Sequence, residues 1–378
     1  VTLVTADASG TDTTTLQGAV ITSIVTSINS NGAYELLNFS FQTVTETQSG
    51  PPCYRRGTRI RTPTGETAVN DLAVGDCVLT ASGESRPVRW LGHRRIDCRR
   101  QVDPTKVWPI RIRAGAFRDL MPSRDLWVSP GHAIFWEGVM VQAYNFLNGV
   151  TVKQTPCDFI EYWHVELDSH DVLIADGMPA ESYLDTGNRA AFANGSVHCE
   201  MFPELNSKHW RDTCAPLILD GPRLQQIRQM LLDRARSLGF SITNCSDVHA
   251  IADGKRVEAV PLGDNRLAFL FGIAASQIEL RCRDFVPAHI DPVSGDRRRL
   301  GLCVCRWQLD GVDFDLEGNE NFADGWHELE SDSHGHHMRW SRDRIPLPTG
   351  TRLLVLELAG RGYYWDTASR AEDARRNA

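Results

Sequence analysis

The sequence predicts a mainly β protein: two successive β-rich units with one amphipathic helix between them. Three observations point there. Short apolar/polar alternations recur between Gly, Pro and Asp turns, as half-buried antiparallel strands require. Only one stretch carries apolar residues at helical spacing. Composition also changes abruptly at Cys53 and again near residue 188.

Taken in order, residues 1–52 are rich in Thr, Ser, Val and Asn, and pieces such as Val20-Ile21-Thr22-Ser23-Ile24-Val25 and Leu37-Asn38-Phe39-Ser40-Phe41 suit strands. Ser49-Gly50-Pro51-Pro52 then breaks any regular element. Residues 53–187 carry Thr58–Thr62, Cys77–Thr80, Val88–Leu91, Ile110–Arg113, Trp127–Ser129 and Phe159–Leu167, all short β-type runs, and form an all-β domain. Residues 188–214 are polar and irregular and read as a linker. Leu224, Ile227, Met230, Leu231 and Leu238 share one helical face, and Gly239 stands where a helix ends. Alternation returns through Ile278–Cys282, Cys303–Trp307 and Arg352–Leu358, so residues 215–366 read as a second β-rich domain that the helix opens. Residues 367–378 read as a frayed tail.

With 378 residues, the chain is long enough for each unit to bury its own core. An apolar fraction of 42% without a run of about 20 apolar residues argues against a membrane-spanning helix. The net charge of −8 and the absence of a basic stripe argue against nucleic acid as a partner. Ten scattered cysteines show no short metal spacing, and they suit either a reduced cytosolic chain or an exported one with a few bridges. No cofactor is expected. His327, His334, His336 and His337 lie in a polar loop without ligand order, and Asp313–Gly318 with Asp324 lacks the closing Glu of a calcium loop, so no metal is expected either.

The run Cys53-Tyr54-Arg55-Arg56-Gly57-Thr58-Arg59-Ile60-Arg61-Thr62-Pro63-Thr64-Gly65-Glu66, with Val69, Asp71-Leu72, Gly75-Asp76 and Val78 in register, resembles the opening motif of the hedgehog/intein, or Hint, superfamily. Ser129-Pro130-Gly131-His132 resembles the family's Thr-x-x-His motif, with Ser for Thr. Tyr162–Leu167 and His170–Gly177 resemble its last conserved strand pair. The likeness covers residues 53–187 and is greatest to bacterial Hint-containing proteins in which a second β-rich domain follows.

The resemblance implies autocatalytic scission of the Pro52–Cys53 bond in a single turnover. Cys53 would be the nucleophile, because its thiol reaches the preceding carbonyl carbon through a five-membered ring and the attack needs no encounter. A free thiol sits about 1.5 units above neutral pH, so some thiolate is present from the outset. The poor leaving group, the Cys53 nitrogen, needs a general acid near neutrality, and His132 is the candidate. Ser129 would donate to the Pro52 carbonyl oxygen or orient that imidazole. His164 is a second candidate imidazole if its strand turns it inward. His93 lies near where hedgehog proteins carry the acidic residue that activates the incoming sterol, and reads as a surface histidine.

The product expected is a thioester at Cys53, open to water, a thiol, an amine or an alcohol; the substrate partner is the chain's own N-terminal segment. Splicing inteins end in His-Asn, whereas the matching stretch here is Pro179-Ala180-Glu181-Ser182-Tyr183, so N-terminal cleavage without full splicing is expected. Pro52 stands where hedgehog proteins have Gly, and its ring restricts how the scissile carbonyl can turn. The alternative reading is an inactive Hint scaffold inside an exported adhesion or binding protein.

Overall fold

A computed structural model of the chain describes residues 51–195, 212–263, 265–272, 275–317 and 325–366, together with the backbone of four strands in the first 43 residues. Those four pair as two hairpins, Thr2–Asp7 with Gly10–Thr15 and Ala19–Ile28 with Tyr34–Thr43. The expected break at Ser49-Gly50, the tail 367–378, and Gly318 and Asp324 lie outside the described residues.

From Cys53 onward two six-stranded antiparallel sheets share a core. The first runs Trp90–Asp97, Phe159–Glu166, Tyr54–Arg55, Leu126–Val128, Ile110–Ile112, Val152–Gln154. The second runs Val139–Gln142, Ala133–Trp136, Met178–Glu181, Val172–Ala175, Arg59–Thr62, Gly65–Ala68. Alternation decides which side chains meet: on Phe159–Glu166, Ile160, Tyr162 and His164 are buried while the residues between them are not. Ile60, Ile110, Ile112, Leu126, Ile134, Leu173 and Ala180 from the two sheets fill the space between them.

A mainly β architecture, with a Hint-like unit followed by a second β-rich region and one α-helix, is thus what the described residues form. The helix Gly221–Ser237 starts on Pro222, which has no amide hydrogen to lose at that position, and stops at Leu238-Gly239, where Gly239 takes φ +84°. Its destination differs from the sequence expectation. It faces both units: Leu224, Ile227 and Leu231 are buried in the core of the first, while Leu232 and Ala235 pack with Trp365 of the later region and Arg228 donates to its Pro292 and Ser294 carbonyls. The preceding residues lead it there, because Leu217 pairs in parallel with Met140 and so extends the second sheet by one short edge.

The later region has a four-stranded and a seven-stranded sheet around its own core, which includes Phe269, Leu280, Val304, Trp307, Leu354 and Leu356. It meets the first unit at residues 144–149. The Arg297 guanidinium lies 3.8 Å from the Tyr144 ring centre and donates to the Tyr144 carbonyl (3.2 Å) and to Asn145 Oδ1 (3.1 Å). Trp365 Nε1 donates to the Asn148 carbonyl at 2.7 Å. No helix among the described residues is long and apolar enough to cross a membrane.

Candidate functional site

Strand register assembles the site around Cys53. Tyr54 pairs with Val128 on one side and with Trp163 on the other, and both pairings are antiparallel. Cys53 therefore lies between Ser129 and His164, one step beyond each pair. The second sheet adds the rest. His132 immediately precedes the strand Ala133–Trp136, and Glu181 ends the neighbouring strand Met178–Glu181, with Ile134 opposite Ala180. Cys53, Ser129, His132, His164 and Glu181 are all buried.

The Cys53 amide, the nitrogen of the bond in question, donates to Ser129 Oγ at 2.8 Å, and the Ser129 amide returns a bond to the Cys53 carbonyl at 2.9 Å. This corrects the expected role of Ser129. Its hydroxyl accepts from the Cys53 amide, and its own proton points to the carbonyl of Pro51, 3.5 Å away, one residue upstream of the expected target. Two more donors meet at that Pro51 oxygen, the Cys53 thiol at 3.3 Å and Arg94 Nη2 at 3.4 Å. Among the described residues no donor reaches the Pro52 carbonyl oxygen.

Burial controls the charges. Desolvation pushes the Cys53 thiol up to about 12, with the Arg94 guanidinium pulling the other way and the Glu181 carboxylate adding to the rise. Desolvation likewise pushes His132 down to about 3, and His170 acts in the same direction. His164 falls well below the ordinary imidazole value for the same first reason, reinforced by His132, His170 and Arg94. The near-neutral imidazole anticipated at His132 is therefore not what this environment makes. At neutral pH the site holds a protonated thiol and two neutral imidazoles.

His132 lies against Tyr54 (ring centres 4.2 Å apart) and His164 (5.1 Å). Neither of its ring nitrogens has a hydrogen-bond partner, and His164 Nε2 is also unpartnered; His164 Nδ1 accepts the Val165 amide at 3.1 Å, which leaves the His164 proton on Nε2. Glu181 is fixed by the Ala133 amide (2.6 Å) and lies 3.6 Å from His170 Nε2, while its carbonyl takes the Tyr54 hydroxyl (2.8 Å). His132, His164 and Glu181 offer donor atoms within 4.8 Å of one another, a set that could hold a divalent ion.

Sequence reasoning missed Arg94 and Glu181. Arg94 follows a histidine on an ordinary strand, and only its pairing with Tyr162 turns it toward Cys53. Glu181 did carry a signal, a lone carboxylate closing an apolar strand whose other end is buried. His93 stacks on Trp163 (5.0 Å) and stays half-buried, away from the hydrogen bonds around Cys53. The polar-loop histidines have separate partners: His327 bonds the Arg299 carbonyl, His336 bonds Asp332, and His337 faces Glu317. Asp313 forms an ion pair with Arg306.

A family model described as Hint domain matches residues 52–187. No curated protein matches the chain. Among solved structures, the MchDnaB-1 intein is 17% identical, over 34% of this chain and 99% of that one, with a TM-score of 0.25. The Msm DnaB1 intein splicing domain, solved with bound zinc, is 16% identical over 34% and 98%, with a TM-score of 0.26. A bacterial intein-like domain from Clostridium thermocellum is 14% identical over 35% and 98%, with a TM-score of 0.27.

Proposed function

We propose that the Hint domain carried by residues 52–187 cuts its own chain at the Pro52–Cys53 bond through an N-to-S acyl shift. The hydrogen bond from the Cys53 amide to Ser129 Oγ carries the reading. As the nitrogen leaves it gains a proton and positive charge, and an oxygen already accepting from it then binds more strongly than in the resting amide.

The atoms balance within the site. The Cys53 thiol gives its proton to a neutral imidazole, His132 or His164, and the sulfur adds to the Pro52 carbonyl carbon. The C–N bond breaks as the imidazolium returns that proton to the Cys53 nitrogen. A Pro52 thioester on Cys53 Sγ and a free α-amine result. Water or a small nucleophile then takes the acyl group and releases residues 1–52 from 53–378. The stretch Pro179–Glu181 supplies no Asn to cut a second bond, so splicing does not follow.

A second reading has its own support. The thiol is fully buried, pushed up to about 12, and bonded to the Pro51 carbonyl, as suits an inert Hint scaffold. Mass measurement of the full chain with and without hydroxylamine separates the two. Self-processing gives residues 1–52 as a hydroxamate in the treated sample; an inert scaffold leaves one unchanged mass after days.

The pH profile tests the proton path. A thiol beside a neutral imidazole holds as many protons as a thiolate beside an imidazolium, so the reactive ion pair keeps a constant share of the population from about 3 upward until His170, raised to about 9 beside Glu181, begins to lose the charge that both imidazoles feel. The rate constant of the acyl shift, read with the resolving nucleophile at saturation, is expected to vary less than about threefold from pH 6 to 8. A rise of about tenfold per pH unit would mean that solvent, not His132 or His164, takes the proton. Arg94→Gln removes the cation that favours the thiolate and is expected to slow cleavage roughly three- to tenfold. An unchanged rate constant would release Arg94 from that role.

A further inference from the structure

Outside the hydrogen bonds of the site, the same apolar cluster that encloses Cys53 holds two more thiols. Cys98 Sγ and Cys157 Sγ lie 3.8 Å apart, beside Trp90, Ile160 and Tyr162. Among the described residues no other two cysteine sulfurs are in contact.

Both positions are set by backbone. Cys98 directly follows the strand Trp90–Asp97, and Cys157 stands two residues before the strand Phe159–Glu166. Asp97 and Phe159 are the last pair of that antiparallel ladder, and the Cys98 amide prolongs it with a bond to the Asp158 carbonyl (2.8 Å). Trp108 Nε1 holds the Cys157 carbonyl at 3.2 Å. A disulfide needs its sulfurs at about 2.0 Å, and here they already touch with their main chains anchored. Cys98 is buried, but Cys157 is partly open to solvent, so an oxidant can enter from one side.

We propose that Cys98 and Cys157 form a disulfide-forming site that takes a small organic disulfide as its oxidant. The Cys157 thiolate attacks one sulfur of the oxidant and displaces the first thiolate, which leaves a mixed disulfide on Cys157. The Cys98 thiolate then attacks the Cys157 sulfur and expels the second. Two protein thiols are oxidised, the oxidant is reduced to two thiols, and the two protons pass to the departing sulfurs.

The bridge would tie the open end of the strand pair that carries Arg94 and His164, while Cys53 keeps its thiol because, among the described residues, no second sulfur bonds it. A chain with a reactive cysteine could thus take one structural bridge without oxidising that cysteine. The site stands whether or not the Pro52–Cys53 bond is ever cut.

The test uses the full chain with Cys53→Ala, so that backbone scission has no part in the readout. It is exposed to oxidised glutathione, its remaining thiols are alkylated, and it is mapped by mass spectrometry without reduction. The expected result is a loss of about 2 Da per chain and one cross-linked peptide pair, Cys98 with Cys157. The unfolding midpoint should also rise by several degrees and return on reduction, because the bridge closes a long loop. Cys157→Ser should lose both effects. Glutathione remaining on Cys157, alkylation of both thiols, or cross-links scattered among other cysteines would overturn the proposal.

Discussion

The Cys53→Ala chain is expected to stay intact under every condition that splits the wild type. The reasoning is stoichiometric: the shift needs an atom that can hold the acyl group between the two fragments, and the methyl of alanine cannot. No neighbour replaces it. Ser129 carries a nearby hydroxyl, yet its oxygen is committed to accepting from the Cys53 amide. Loss should therefore be complete within detection, a fall of more than about a thousandfold. Cys53→Ser retains an oxygen nucleophile and should cleave, but more slowly, because a hydroxyl is far harder to ionise than a thiol. Gel electrophoresis after prolonged incubation decides. Equal fragmentation of wild type and Cys53→Ala would show that the scission comes from elsewhere.

The largest effect on stability is expected from Leu231→Ala. Leu231 sits in the middle turn of the helix, almost wholly buried among residues of both sheets. Truncating such a side chain costs about 2–5 kcal/mol, because a cavity remains where the leucine was. In a unit of this size that is a fall of roughly 5–15 °C in the first thermal transition. The core built on Phe269 and Leu354 takes no residue from the helix and feels the change only through Leu232, Ala235 and Arg228, so its transition should fall by less than the first. If instead Leu231→Ala lowered the transition of the later region and spared the earlier one, the packing assigned to the helix would be wrong.

Much of this architecture was legible in the residues. The strands read from alternation lie where Arg59–Thr62, Cys77–Leu79, Ile110–Ile112, Leu126–Val128 and Phe159–Glu166 form. Cys53, Ser129, His132 and His164 were singled out by motif, and strand register brings Cys53 between Ser129 and His164. What a linear pattern does not encode is the partner across the gap. The apolar face of the helix was visible from its spacing, but the choice of sheet depends on residues 216–218 extending one edge. Arg94 enters only through its register with Tyr162, and Glu181 only because the two sheets face each other. The low value at His132 comes from enclosure on all sides, which no local sequence expresses.

The seam at residues 144–149 also has a mechanical meaning. The Tyr144 amide grips the Pro130 carbonyl at 3.0 Å and the Ala143 amide grips that of His132 at 2.8 Å, while Arg297 clasps the Tyr144 ring and carbonyl. A tug on the stretch around Arg297 is thus passed, through one tyrosine and two amide links, to the bend that bears an imidazole. The remote lobe has a lever on the one that holds Cys53 without approaching its sulfur.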